Sequence, residues 1–213
     1  MIQVKICGLS SPQAVQAATD AGADYVGFVF YARSPRAVTA AQAAPLARAV
    51  PAGVHKVGLF VDADDAFIAA VLAGVSLDYL QLHGAETPQR VAEIRARFGL
   101  PLIKAAAISD RADIIRARSY EAVCDMLLFD AKPPPAADAL PGGNGLIFDW
   151  TLIAGHSWQR PWMLSGGLDA ANLAEAVRIS GAKLVDVSSG VESAPGVKDL
   201  AKIRAFVETA KKL

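Results

Sequence analysis

An α/β chain folded as a (β/α)8 TIM barrel, in a single domain covering residues 1–213, is predicted by three observations. Short β-branched or aromatic runs recur along the 213 residues, a helical pattern follows most of them, and their spacing is nearly even. The runs begin near Ile2, Tyr25, Val54, Asp78, Pro101, Cys124, Pro161 and Leu184, at intervals of 23, 29, 24, 23, 23, 37 and 23 residues. Eight strand–helix units in about 200 residues match a small (β/α)8 barrel. A doubly wound sheet is the alternative, but no G-x-G-x-x-G follows the first run.

Helix punctuation supports the units in turn. Ser11-Pro12 supplies a cap and a first-turn proline for a helix over Gln13–Ala21, stopped by Gly22. Thr87-Pro88 opens a second over Gln89–Phe98, stopped by Gly99, and Asp169 caps a third over Ala170–Ser180, stopped by Gly181. The sixth unit is the exception. Its extra length is a loop over 131–145, running from Lys132-Pro133-Pro134-Pro135 to Gly142-Gly143-Asn144-Gly145, with no helix or strand pattern. A connection of that length is usually functional or disordered, and it follows a strand's C-terminal end, the face where barrel enzymes build their sites. No linker divides the chain.

Composition removes whole classes of function. Twenty-one basic residues balance 21 acidic ones, with 53% apolar and 20% charged residues, which excludes global disorder and disfavours nucleic-acid or polybasic membrane partners. No apolar run is long enough to span a membrane, and the N-terminus reads as a strand, not a cleavable leader. Two cysteines, Cys7 and Cys124, suit neither a disulfide framework nor a zinc cage. His55, His83 and His156 lack metal-ligand spacing, so no metal is expected. The expected setting is cytoplasmic, with free thiols.

Strand alternation then selects the inward side chains. In the first strand Ile2, Val4 and Ile6 form the apolar set, leaving Gln3, Lys5 and Cys7 inward. Gln81 and His83 point in from the fourth strand, Asp130 from the end of the sixth, and Asp186 and Ser188 from the eighth. Gln81, His83 and Asp186 are read as substrate contacts. Cys7 is either a small buried hydrophobe or a functional thiol whose pKa Lys5 lowers; Lys5 is equally a partner for Asp186. Cys124 opens its strand and is read as packing. Asp130 is either a solvated cap or a general acid. Ser165-Gly166-Gly167 and Ser188-Ser189-Gly190 follow strands seven and eight, where barrels bind phosphate through glycine N–H groups, serine hydroxyls and a short helix. Arg36, after the second strand, is a surface residue or a bidentate clamp for a carboxylate. Phe28 and Phe30 are read as inward, walling a planar group, or else as plain core.

These residues carry a resemblance. Lys5-Ile6-Cys7-Gly8-Leu9, Gly27-Phe28-Val29-Phe30, Ser34-Pro35-Arg36, Gln81-Leu82-His83-Gly84, Leu128-Phe129-Asp130, Gly142-Gly143-Asn144-Gly145 with Phe148-Asp149-Trp150, Ser165-Gly166-Gly167-Leu168 and Asp186 through Glu192 resemble the phosphoribosylanthranilate isomerase family of tryptophan biosynthesis, in the family's order. The resemblance implies an aldose–ketose isomerase that needs no cofactor. It implies an Amadori rearrangement of N-(5′-phosphoribosyl)anthranilate to 1-(2-carboxyphenylamino)-1-deoxyribulose 5-phosphate. It further implies that Cys7 is the general base, Asp130 the general acid and Arg36 the holder of the anthranilate carboxylate. Gly166, Gly167, Ser188, Ser189 and Gly190 would bind the phosphate. Asn144 departs from the threonine or serine usual in the sixth loop.

Other readings stay in view. A related isomerase of histidine biosynthesis implies aspartates ending strands one and five, where this chain has Cys7 and Ala105-Ala106. Indole-glycerol-phosphate synthase implies an extension before the first strand. A non-catalytic sugar-phosphate binder would keep the phosphate loops without needing Cys7 opposite Asp130.

Overall fold

The structure is a computed structural model that describes residues 1–133 and 140–213. Eight parallel strands, β1 (Gln3–Cys7), β2 (Tyr25–Val29), β3 (His55–Phe60), β4 (Tyr79–Leu82), β5 (Leu102–Ile108), β6 (Met126–Ala131), β7 (Trp162–Leu164) and β8 (Leu184–Val187), close into a barrel in chain order. Each begins within two residues of its expected start. The barrel closes where β1 pairs with β8, from Gln3 opposite Leu184 to Ile6 opposite Val187.

Helices α1 (Pro12–Asp20), α2 (Ala40–Ala49), α3 (Asp65–Gly74), α4 (Pro88–Phe98) and α5 (Arg111–Arg118) follow the first five strands. Helices α6 (Leu173–Ser180) and α7 (Leu200–Lys211) follow β7 and β8. The caps explain the boundaries. Ser11 and Thr87 accept the N–H groups of Ala14 and Arg90, and Gly99 takes the left-handed conformation that ends α4. One start differs from expectation. Asp169 does not cap α6: its carboxylate accepts from Ala171 and Asn172 N–H, building a separate turn, and the helix begins at Leu173. Between β6 and β7 the described residues hold only a short 3-10 turn, Trp150–Leu152. Pro134 and Pro135 of the proline run lie outside the described residues.

Alternation sorts the strands as expected in β1, β4, β6 and β8. Val4, Ile6, Leu80, Leu82, Leu127, Phe129, Val185 and Val187 join the main apolar cluster with the helices. Met126, Leu128 and Leu184 fill a separate interior layer with Tyr25 and Ile103. Strand β2 is a correction. Phe28 and Phe30 pack outward, Phe30 stacking on Phe60 at 5.3 Å, and Val29 faces inward with Cys7 and Leu59. The strand is apolar on both faces, so its sequence has no parity signal. The pairing of Cys7 with Gly27 sets its register. A Cβ on Gly27 would lie 2.9 Å from Cys7 Sγ and 3.4 Å from Lys5 Cε, so this position admits only glycine beside the thiol.

A buried cation braces the barrel from outside. Lys104 of β5 is 2% exposed; its Nζ donates to Glu86 at 2.9 Å and to the carbonyls of Leu82 (3.2 Å) and Gly84 (2.8 Å). Glu86 also accepts from the N–H groups of Asp62 and Gly84. The pair therefore fixes the end of β4 and the turn after it. Replacing Lys104 by methionine leaves the Glu86 carboxylate buried and unpaired, a loss of about 3–5 kcal/mol by the usual cost of breaking such pairs. Guanidinium unfolding of Lys104→Met checks this, and a loss below about 1 kcal/mol would contradict the role.

Candidate active site

A pocket opens at the C-terminal ends of the strands, lined by Cys7, Val29, Arg36, Leu59, His83, Asp130, Asp186 and the glycine turns after β6, β7 and β8. Its base is an ion pair. Lys5 Nζ lies 2.8 Å from Asp186 Oδ1, with Lys5 fully buried and Asp186 4% exposed, and the Ser165 hydroxyl donates to Asp186 Oδ2 at 3.2 Å. Burial alone would depress the Lys5 ammonium, but Asp186 and neighbouring Cys7 outweigh it and raise its pKa.

Cys7 sits two residues further along β1, 4% exposed. The expectation that Lys5 lowers its pKa needs correction. Burial is the largest influence and pushes the thiol up; Lys5 pulls it down, Asp186 pushes it up again, and Lys198 adds a smaller downward pull. The net direction is upward. Cys124 is buried at the opposite end of the barrel, its thiol pushed to about 11 by burial.

Across the mouth, Asp130 is 6% exposed at the end of β6. Its Oδ1 accepts the Ala131 N–H at 2.9 Å, and its Oδ2 is 3.2 Å from His83 Nε2. His83 Nδ1 is 2.8 Å from Gln81 Nε2. His83 lines the pocket, whereas Gln81 is fully buried and stands behind it instead of on the wall.

Arg36 is neither a surface residue nor a free bidentate fork. It is 5% exposed, and its Nε and Nη2 already grip Glu192 at 2.7 and 2.9 Å. Nη2 also donates to the Gly143 carbonyl at 3.1 Å, which leaves Nη1 without a hydrogen bond among the described residues. The stem of Arg36 crosses Gly8, whose φ is +78°; a Cβ there would lie 2.8 Å from Arg36 Cδ.

Two site residues escape a reading of the sequence. Glu192 lies in the quoted block after β8 but has no role assigned there, and nothing singles out Lys198. They belong to a small antiparallel hairpin, β9 (Glu192–Ala194) with β10 (Val197–Lys198). Lys198 Nζ donates to Glu192 and to the Ser188 carbonyl, both at 2.8 Å. Burial would raise the Glu192 pKa, but Arg36 and Lys198 hold it below the usual carboxylate range. Burial depresses Lys198 despite Glu192 and Cys7. Only the short separation of Glu192 and Lys198 hints at a hairpin.

The two phosphate-loop candidates meet. Gly166 and Gly167 have φ of +90° and +60°, and Gly190 packs so closely under the Leu168 carbonyl that no Cβ fits. Gly166, Gly167, Ser188 and Ser189 line the pocket; Gly190 lies just behind, in the short 3-10 turn Ser189–Val191. From the sixth loop, Gly142 comes against His83 and Asp130, while Asn144 turns back to the Leu140 carbonyl. Among the described residues, no three His, Cys, Asp or Glu side chains gather as a metal-binding group, and no helix is long and apolar enough to cross a membrane.

Residues 4–209 match the family described as N-(5′-phosphoribosyl)anthranilate (PRA) isomerase. The chain belongs to that family. It is 59% identical over 209 residues to the N-(5′-phosphoribosyl)anthranilate isomerase of Rhodospirillum centenum, with 98% of each chain covered. It is 58% identical over 212 residues to that of Parvibaculum lavamentivorans, with 99% of each covered. Among solved structures, the phosphoribosyl anthranilate isomerase of Thermotoga maritima superposes with a TM-score of 0.89 at 36% identity over the whole of both chains. A member of the family solved in complex with reduced 1-(o-carboxyphenylamino)-1-deoxyribulose 5-phosphate gives 0.87 at 35%, again over both whole chains. The expectations of a (β/α)8 barrel and of a phosphoribosylanthranilate isomerase of tryptophan biosynthesis therefore stand.

The raised Cys7 thiol has a direct readout. Alkylation of Cys7 by iodoacetamide, followed by mass spectrometry, should be slower at neutral pH than that of a free thiol and should accelerate as pH rises above the ordinary thiol pKa of about 8.5. Cys124 should stay unmodified while the protein is folded. Faster-than-free reaction of Cys7 at neutral pH would show that Lys5 and Lys198 outweigh burial.

Proposed function

We propose that Cys7 and Asp130 carry out the Amadori rearrangement of N-(5′-phosphoribosyl)anthranilate as general base and general acid. The observation that carries this is their placement on opposite walls of one pocket in contrasting electrostatic settings. Cys7 stands over the Lys5–Asp186 pair with Lys198 nearby, and Asp130 stands against His83 and a backbone N–H.

The proton accounting is closed. Asp130 gives its proton to the ribose ring oxygen, the C1′–O bond breaks, and the anthranilate nitrogen's lone pair forms an iminium. That cation acidifies the C2′ proton, and the Cys7 thiolate removes it, giving an enolamine. Return of the Cys7 proton to C1′ and loss of the O2′ proton to Asp130 yield the ketone and restore both groups. The electron sink is the substrate's own iminium. Burial favours the protonated thiol, so the cycle begins once Cys7 has released its proton to solvent; the iminium that forms beside C2′ then favours the thiolate.

Recognition of the substrate's two anionic ends divides between two regions. The N–H groups and hydroxyls of Gly166, Gly167, Ser188, Ser189 and Gly190 would receive the phosphate. Arg36 would offer Nη1 to the anthranilate carboxylate, its other edge being held by Glu192. Val29 and Leu59 supply apolar wall for the aromatic ring. His83 and Asp186 reach the pocket and are available to the ribose hydroxyls.

Cys7→Ser and Asp130→Asn should each reduce kcat by about 10²–10⁴-fold, the range for one proton transfer, while phosphate-analogue affinity measured by calorimetry stays within about twofold. Near-native turnover in either variant overturns that residue's role. Arg36→Ala should raise KM for phosphoribosylanthranilate by about tenfold or more, the loss of a charge-assisted contact. Loss of substrate fluorescence gives the rates, and unchanged kinetics would refute the carboxylate contact.

A further inference from the structure

Gln81, His83 and Asp130 form a line running from the barrel interior to the pocket. Gln81 Nε2 lies 2.8 Å from His83 Nδ1, and His83 Nε2 lies 3.2 Å from Asp130 Oδ2. Gln81 is fully buried, and its Oε1 has no hydrogen-bond partner among the described residues. The His83 backbone is fixed by its N–H, which donates to the Phe60 carbonyl at 2.8 Å.

The amide has two orientations, and they differ in what they orphan. With the NH2 toward His83, one N–H donates to Nδ1, and the carbonyl oxygen and the second N–H have no partner among the described residues. With the oxygen toward His83, both N–H donors are buried at the position where no partner is found among the described residues. A buried unpaired N–H is the rarer and costlier defect, since a carbonyl oxygen tolerates under-satisfaction better. The orientation with the NH2 toward the ring is therefore favoured, and it requires a bare Nδ1. A neutral imidazole with a bare Nδ1 carries its proton on Nε2, facing Asp130. An imidazolium would set an N–H of the ring against an N–H of the amide at 2.8 Å.

We infer that Gln81 is a positioning residue that pins His83 as the neutral Nε2–H tautomer, so that His83 donates to Asp130 but cannot store its proton. The inference rests on the reading of Asp130 as the general acid. A cationic His83 would hold Asp130 as a carboxylate and leave the acid without its proton before substrate arrives. A neutral donor places no second charge beside the acid. It then meets the carboxylate formed after ring opening with a hydrogen bond, alongside the Ala131 N–H. Gly142 adds to this by lying against both groups: a Cβ there would be 2.6 Å from His83 Nε2 and 2.7 Å from Asp130 Oδ2, so no side chain at this position separates them.

The test is nitrogen-15 NMR of the imidazole rings of the wild-type chain at neutral pH, with His83 identified among the three histidines by the signal lost in His83→Gln. The expected pattern for His83 is a protonated Nε2 and a bare Nδ1. A protonated Nδ1, in either a neutral or a cationic ring, overturns the inference without any need for a Gln81 variant. Gln81→Glu places a carboxylate opposite Nδ1 and should protonate it, lowering kcat by about tenfold or more with KM within about twofold, because an acid step and not binding is lost. Gln81→Met keeps the volume without the N–H and should release the single-tautomer pattern. Retention of the wild-type pattern and kcat in both variants would also overturn the pinning role. Near-native kcat in Asp130→Asn would instead remove the acid reading while leaving the tautomer result standing.

Discussion

The Lys5–Asp186 ion pair sits where the barrel closes, joining β1 to β8 at directly paired positions. Taking two charges out of water costs several kcal/mol each, recovered only when geometry and further hydrogen bonds are good. Here the contact is 2.8 Å and the second Asp186 oxygen takes the Ser165 hydroxyl from β7's end. A pair so enclosed tolerates little slippage between β1 and β8. A one-residue slip would send Lys5 into the apolar layer between strands and helices and take Cys7 out of the pocket. The same pair sets the field at the thiol, since burial and Asp186 push the Cys7 pKa up while Lys5 pulls it down. Strand register and reactivity thus share one origin.

The charge balance of the pocket follows similar logic. A substrate with a phosphate and a carboxylate suggests a basic surface, yet the chain has no net charge. The cations that matter are few and internal. Arg36 and Lys198 share Glu192, so two positive charges are held in place by one negative charge, leaving a local excess of one. On the proposed assignment, the second anion falls to backbone N–H groups, which bring dipoles and no formal charge. Fixed donors of this kind need no reorganisation when substrate arrives, and that advantage is largest in a water-poor cleft.

How far the sequence can be read depends on contrast between the two faces of each strand. In β1, β4 and β8 polar residues alternate with aliphatic ones, and in β6 Asp130 is the one polar residue closing an apolar run, so the inward set Lys5, Cys7, Gln81, His83, Asp130 and Asp186 is legible from place along each strand. In β2 both faces are apolar, and the pattern points Phe28 and Phe30 inward although Val29 holds that place. The start of α6 is blurred because Asp169 satisfies N–H groups in a turn just as a cap would. Glu192 and Lys198 are invisible for another reason. Their importance comes from contacts with Arg36, 156 residues away in the chain, and with Ser188. No local pattern encodes such a meeting. Likewise the sequence shows a lysine two residues from a cysteine, but whether charge or burial decides the thiol's pKa depends on how fully the barrel encloses it.

General acid and general base catalysis in one pocket demands that two groups hold opposite protonation states side by side, and an enclosed pocket resists both forms of charge. On the proposed assignment of Cys7 and Asp130, the tasks fall to different strands. On the β1 wall, two lysines and an aspartate surround the buried thiol, so burial and charge together set its ionisation. On the β6 wall, the neighbours of Asp130 are a backbone N–H and a histidine whose far nitrogen faces a buried amide. Neither of those neighbours is a permanent ion. The proposed base is therefore set among burial and neighbouring charges, and the proposed acid among short-range hydrogen bonds. In the proposed mechanism an iminium forming between the two walls acts on the Cys7 thiolate directly and on the Asp130 carboxylate through His83. A fold that offers eight independent strand ends makes that division possible, because each group can be given its own surroundings without disturbing the other.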